Sequence, residues 1–330
     1  MDWGAIIETS FRGLLGETAV VFALAAIGLN IHFGFTGLLN FGQAVFMAAG
    51  AYGLAMMVAT WEQPFWVGVL VGVFVFPVIL ALLLGIPTLR LRADYLAIVT
   101  IATAEIFRII ARSPSLDEWT GSSDGLTGFA RTFYNWSPFD TRERYVFNLF
   151  TGNQFWVVIV GWVCVAIAVL VTYIAVNSPW GRVLKAIRED EDAARSLGKN
   201  AYWYKLQALM LGGVIGAVGG MLRAIATQSA QPQNFITDVT FFAWVALILG
   251  GVGKVFGPVI GAMLLWMILN FTDVFLRELV AEDLIPEAVL VDTQVGQVRF
   301  ILVGAGLVLL AVFRPQGVFG NKNEMALDDR

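Results

Sequence analysis

The chain has 330 residues, 58% of them hydrophobic and only 14% charged, with a net charge of −4. Soluble domains carry about 25% charged residues, so lipid is the expected solvent, and the weak negative balance excludes a nucleic-acid partner held by basic surface. One cysteine (Cys164) excludes an intrachain disulfide, and one histidine (His32) argues against a Cys/His metal centre built by this chain alone.

The start, 1–13, carries Asp2, Glu8 and Arg12 and lacks a basic leader, which argues against a cleaved signal peptide. A helix needs about 20 apolar residues to cross the hydrocarbon. Runs that meet or approach this fall near 15–33, 38–59, 64–86, 94–111, 153–176, 206–228, 238–253, 256–275 and 298–313. The run at 38–59 is rich in Gly and Ala, and 238–253 is short. Each reads as a half-helix, a re-entrant element or a full crossing. The expected fold class is an all-α membrane protein, a polytopic helical bundle of about 8–10 transmembrane segments with broken helices and a candidate inverted repeat. No linker divides the chain, so 1–330 reads as one membrane domain.

Gly34-Phe35-Thr36-Gly37-Leu38-Leu39-Asn40-Phe41-Gly42-Gln43 interrupts one apolar region, and Gly250-Gly251-Val252-Gly253-Lys254-Val255-Phe256-Gly257-Pro258 interrupts another. Paired Gly/Pro breaks in two halves suit broken helices around a pathway; they equally suit tight turns and close helix packing. Asn30, His32, Thr36, Asn40, Gln43 and Tyr52 gather polar groups around the first break. Polar groups inside a membrane face a cavity or another helix. A helix restarting near Leu38 would present free N–H groups to a carboxylate. Thr36, Asn40, Gln43 and Tyr52 are therefore candidate pathway residues, or they satisfy one another in a packed bundle. Glu105 is either a pathway carboxylate or the partner of Arg108, three residues on. Asn270 and Asp273 read as capping and solvating an outer helix end, and Trp61 and Trp66 suit an interfacial aromatic belt.

The segment 113–152 mixes Gly, Ser and Pro with Trp119, Phe129, Phe133, Tyr134 and Trp136. It reads as a docking surface for a binding protein or as a cover over helix ends.

The densest charge lies at 178–205, with Arg182, Lys185, Arg188, Arg195, Lys199 and Lys205, so this segment is expected in the cytoplasm. Arg90, Arg92, Lys254 and the tail from Arg314 then fall on the same side. The 113–152 segment and the acidic 277–299 segment, with Glu278, Glu282, Asp283, Glu287 and Asp292, fall outside. Ser178 suits an N-cap, Pro179 the first helical position, and Gly198 a left-handed stop. One helix from Arg182 to Leu197 is expected, with Leu184, Ile187, Ala194 and Leu197 on one side. Such a helix seats in a groove of a soluble partner or lies on the membrane surface.

Asp192-Ala193-Ala194, three residues and Gly198 resemble the cytoplasmic EAA loop of bacterial ABC import permeases, with Asp192 where Glu is usual. Asn30-Ile31-His32-Phe33-Gly34-Phe35-Thr36-Gly37-Leu38-Leu39-Asn40-Phe41-Gly42-Gln43-Ala44 resembles the N-terminal signature of the branched-chain amino acid permeases, LivM-type in particular. Leu89-Arg90-Leu91-Arg92, Gly121-Ser122-Ser123-Asp124-Gly125, Gly257-Pro258-Val259-Ile260-Gly261 and Phe313-Arg314-Pro315-Gln316-Gly317 follow the same pattern in order. Urea and short-chain amide permeases share it. The resemblance implies a transport subunit of the bacterial cell membrane rather than an enzyme, carrying leucine, isoleucine or valine. It implies two ATP-binding subunits holding ATP and Mg, a second LivH-type permease, an extracytoplasmic binding protein and no cofactor on this chain. Arg188, Asp192, Ala193, Ala194 and Gly198 would couple to the ATPase.

A P-loop needs G-x-x-x-x-G-K-[ST]. Gly253-Lys254 is followed by Val255, and Ile248 stands at the first glycine position, so the motif fails. An ion-coupled secondary transporter needs intramembrane carboxylates, for which Glu105 is the candidate. That class and a passive channel both leave the central loop unexplained.

Overall fold

The computed structural model describes residues 3–89, 93–146, 149–282, 294–313 and 317–318. Arg90, Leu91, Arg92, Asp283, Glu287, Asp292 and 314–316, which carried expectations above, lie outside them.

The helices follow the apolar runs. They are α1 (Trp3–Leu15), α2 (Glu17–Leu29), α3 (Gln43–Ala55), α4 (Phe65–Thr88) and α5 (Ala93–Ala111). After the 113–152 segment come α6 (Gly152–Asn177), α7 (Pro179–Glu189), α8 (Glu191–Ser196), α9 (Ala201–Thr227), α10 (Thr237–Gly250), α11 (Gly257–Ala281) and α12 (Val295–Phe313). Among the described residues, seven stretches are long and apolar enough to cross a membrane: Trp3–Phe35, Gln43–Thr60, Phe65–Thr88, Gly152–Asn177, Ala201–Thr227, Pro232–Gly250 and Gly257–Ala281. The expected spans at 94–111 and 298–313 are helical too. Charges at Asp94, Glu105 and Arg108 dilute α5, and α12 runs Val295–Phe313.

Burial sorts these helices by chemistry. α2 is apolar on all sides, and its residues from Ala19 to Leu29 are buried, as a helix with no polar face must be. α9 and α11 pack along it, and α3 packs on α9. α4 and α6 are just as apolar but leave Leu70, Phe74, Leu83, Ile167, Leu170 and Ile174 exposed. Lipid tails solvate such side chains, so nothing drives them inward.

Helix ends follow local chemistry. Thr151 and Gln154 form a capping box at the start of α6, with the Thr151 N–H donating to Gln154 Oε1 at 3.2 Å. Gly16 is extended and separates α1 from α2. The first break opens as a π-helical turn, Asn30–Phe35, and α3 begins only at Gln43.

The 113–152 segment packs over the ends of α3, α4 and α9. Leu126 lies opposite Ala230 and Thr127 opposite Ser229 in a two-strand antiparallel pair. Tyr134 OH donates to the Ile225 carbonyl at 2.8 Å, and Trp136 stacks on Trp66 at 5.1 Å. Trp119 and Trp136 stay exposed at the surface of this cover.

Candidate functional site

The segment after Asn177 is two helices, not the single helix expected from propensity. Asp190 is extended (φ −153°, ψ 104°), and its carboxylate accepts the N–H groups of Asp192 at 3.0 Å and Ala193 at 2.9 Å. A short acidic side chain offers those amides an alternative to the preceding turn, so α7 stops and α8 starts. Pro179 takes the first position of α7. Ser178 does not cap it; its hydroxyl donates back to Ala175 O at 2.6 Å.

Gly198 closes α8 at φ +76°. Its N–H reaches Arg195 O at 2.9 Å, and the Lys199 N–H reaches Ala194 O at 3.2 Å, the two bonds of a Schellman motif. Leu184, Ile187 and Ala194 are buried, but Leu197 is 79% exposed. The break at Asp190 turns Leu197 away from the face expected for it. Ile187, Ala194 and Ala201 share one apolar cluster with Val183 and Tyr204. Glu191 pairs with Arg195 at 2.6 Å and with Lys205, fixing α8 to the start of α9. The Asp192 side chain is 95% exposed. Asp192, Ala193, Leu197 and Gly198 thus present a surface, while Ala194 anchors it.

The loop reaches into the membrane domain through Arg188. Arg188 Nη1 donates to the Gly34 carbonyl at 2.5 Å, inside the first break. The second break lies beside it. Asn30 Nδ2 donates to Lys254 O at 2.8 Å, and Gly253 N–H donates to Asn30 Oδ1 at 2.9 Å. The two Gly-rich interruptions, 224 positions apart where Asn30 meets Lys254, therefore meet, with Arg188 at their junction.

Behind the junction lies a buried polar cluster. Asn40 Nδ2 contacts His32 Nδ1 at 3.0 Å and Gln43 Oε1 at 3.3 Å, and Asn40 Oδ1 accepts the Gly42 N–H at 2.8 Å. His32 Nε2 lies 3.1 Å from Leu209 O, so the proton sits on Nε2 and Nδ1 accepts. Gln43 Nε2 donates to Gly212 O at 3.3 Å and Ala25 O at 3.4 Å. A Cβ at Gly212 or Gly216 would collide with His32 or Gln43, so these glycines make the space in α9 that the cluster fills. Thr36 donates to Ile31 O at 2.8 Å within its own turn.

The amides expected to be free near Leu38 are taken. Phe41 N–H goes to Thr100 Oγ1 at 3.0 Å and Ala44 N–H to Thr240 Oγ1 at 2.8 Å. Trp244 Nε1 donates to Asn40 O at 3.0 Å. Buried backbone groups must find partners, and two distant helices, α5 and α10, supply them. The sequence assigns Thr100 no role at the break and does not single out Thr240 or Trp244, because nothing local marks them as its partners.

Tyr52 lies apart from this cluster. Its ring packs on Phe107 at 6.0 Å, and its hydroxyl is buried with no hydrogen-bond partner. Glu105 is held by Arg108, whose Nε donates to Glu105 Oε2 at 2.9 Å. Asp273 pairs with Arg277 and Arg299, each at 3.1 Å.

A multi-pass helical bundle whose two broken segments meet under an exposed two-helix loop defines a membrane transport subunit rather than an enzyme. Residues 15–293 match the family described as branched-chain amino acid transport system / permease component, and the chain belongs to that family. It is therefore a multi-pass permease of the cell membrane. It is 28% identical to the high-affinity branched-chain amino acid transport system permease protein LivM of Escherichia coli, over 92% of this chain and 69% of that protein. It is 24% identical to a probable branched-chain amino acid transport permease protein LivM of Methanocaldococcus jannaschii, over 92% of this chain and 91% of that one. It is also 25% identical to the LivH permease protein of Escherichia coli, over 78% of this chain and 83% of that one. No solved structure matches the chain.

Proposed function

We propose that this chain is a permease subunit of an ATP-driven importer, forming the translocation path for leucine, isoleucine and valine. The family supports the cargo, and one observation supports the mechanism: Arg188 ties the exposed 178–205 loop to the carbonyl of Gly34, at the junction of both breaks. A partner ATPase closing on ATP and Mg grips Asp192, Ala193, Leu197 and Gly198. Ala194 and the Glu191–Lys205 pair carry that movement to α9, and Arg188 carries it to the breaks. The polar junction of Asn40, Gln43 and Thr36 is then the hinge beside the path, with Glu105 and Tyr52 on its outer side.

The loop is cytoplasmic in this reading, and 113–152 and 277–299 face outward within one membrane domain, 1–330. The working assembly pairs this chain with a second, LivH-type permease, two ATP-binding subunits and an extracytoplasmic binding protein. The chain itself holds no cofactor.

Reconstituted vesicles test the proposal. Uptake with ATP, without a proton or sodium gradient, and ATPase stimulation by binding protein loaded with leucine, isoleucine or valine are expected. Stimulation by urea alone overturns the cargo assignment. Uptake that follows an ion gradient and ignores ATP overturns the mechanism.

A further inference from the structure

A second polar feature lies at the opposite end of α9 from the central loop. α9 carries one cation beyond its first two turns, Arg223. A charge within an apolar span is costly and marks a functional site by default. Arg223 is half-buried, its Nε is buried with no hydrogen-bond partner, and its guanidinium has no ion-pair partner among the described residues.

Arg223 lines a cavity of about 290 Å³ between α2, α9, α10 and α11, near the lower end of the ~300–1,000 Å³ usual for small-ligand sites. Trp266 lines the same cavity, and its Nε1 is likewise buried without a partner. Neither donor is hydrogen-bonded, although the carboxylates of Glu17 and Asp238 line the same cavity, so each donor can take an acceptor from a ligand. Because one donor belongs to a guanidinium, an anion answers it best, and a carboxylate matches its fork.

The remaining wall narrows the ligand. Phe22 packs on Trp266 at 5.0 Å and Phe242 on Trp266 at 6.0 Å. With Val21 and Val239 they line an apolar surface in the same cavity. Glu17, in the first turn of α2, and Asp238, in the first turn of α10, add carboxylates. Guanidinium, apolar wall and carboxylate are complementary to the three parts of an aliphatic amino acid: its carboxylate, its side chain and its ammonium. A simple inorganic anion would use Arg223 and leave the apolar wall without purpose.

We propose that this cavity is an amino-acid site within the permease itself, a station that cargo occupies after leaving its binding protein. The proposal rests on the reading of the chain as a branched-chain amino acid permease. Arg223 and Trp266 hold the carboxylate, Phe22, Phe242 and the valines hold the aliphatic side chain, and Glu17 and Asp238 answer the ammonium. A station on a path must bind weakly enough to release.

The test uses the assembled importer in lipid nanodiscs, without binding protein, titrated with radiolabelled leucine. Leucinamide, which lacks the carboxylate, is the competitor. Wild type is expected to bind leucine at least about tenfold more tightly than leucinamide. Arg223→Gln should erase that preference, which a merely structural role would not do. Trp266→Phe keeps the ring and removes the donor, and should weaken leucine about threefold or more. Only complexes with full subunit stoichiometry are scored; if Arg223→Gln does not assemble, Trp266→Phe decides.

Equal leucine and leucinamide affinity in wild type, or wild-type leucine binding in the scored variants, overturns the site. Leucine uptake by the complete wild-type system is measured separately. Uptake without binding in the nanodisc overturns the site and leaves the functional reading; binding without uptake does the reverse.

Discussion

Truncating Arg188 should disconnect the central loop from the breaks. Its guanidinium donates to the Gly34 carbonyl at 2.5 Å, and Gly34 is buried. A hydrogen bond from a charged donor contributes about 1.5–3 kcal/mol. Arg188 is otherwise exposed, and solvent screening pulls the figure toward about 1–2 kcal/mol. That corresponds to roughly 5–30-fold in the balance between attached and detached loop. The assay is leucine taken up per ATP hydrolysed in proteoliposomes, with ATPase stimulation by loaded binding protein alongside. Arg188→Ala should lower that ratio about fivefold or more. Arg188→Lys should lose less, because an ammonium still reaches the carbonyl as a point charge. An Arg188→Ala complex that assembles fully and keeps wild-type coupling would refute the reasoning.

Gly198→Pro removes the N–H given to Arg195 O and cannot adopt φ +76°. It should abolish binding-protein stimulation of the ATPase, whereas Gly198→Asn, which tolerates a left-handed backbone, should retain most of it. Asn40→Ala strips partners from His32 Nδ1, Gln43 Oε1 and the Gly42 N–H at once. At about 1–3 kcal/mol for a buried group left unpaired, the purified complex should melt several degrees lower by differential scanning fluorimetry; an unchanged Tm would show that the cluster opens to water.

The sequence made the apolar helices legible because lipid demands unbroken apolar runs, and the two breaks legible because glycine interrupts them. It misplaced the restart of α3, at Gln43 rather than Leu38. The partners that hold residues 41–44 extended or helical are Thr100 and Thr240, 59 and 196 positions from the amides they accept, and spacing along the chain cannot report them. The break at Asp190 was hidden for the opposite reason. It is wholly local, a side-chain cap overriding good helix formers on both sides, and propensity summed over 182–197 averages it away. Arg223 stood out in principle as a lone charge in an apolar run. Its cavity did not, since Glu17, Phe242 and Trp266 arrive from three other helices.

α9 joins the two proposed sites. Its first turns hold Lys205 against Glu191 of the loop, and its last turns carry Arg223 to the cavity. Its 27 residues span about 40 Å at 1.5 Å each, enough to cross the hydrocarbon core. Glycines along it allow α2 and α3 to approach at backbone contact, and so close a fit has low compressibility and transmits strain. A displacement at the loop should therefore reach the cavity as a shift of one rod. Linkage makes this measurable from both ends: if ATP closure changes leucine affinity in the permease by some factor, leucine must change the affinity of the closed ATPase for ATP by the same factor. Coupling of about 1–3 kcal/mol predicts a 5–150-fold change in each direction. Leucine titrations of nanodisc complexes with and without a non-hydrolysed ATP analogue, and the reverse titration, read the two factors. Equal factors above unity identify α9 as the transmitting element if a glycine-to-leucine change at Gly216 reduces both together. Factors of one at both ends would mean that the loop and the cavity move independently.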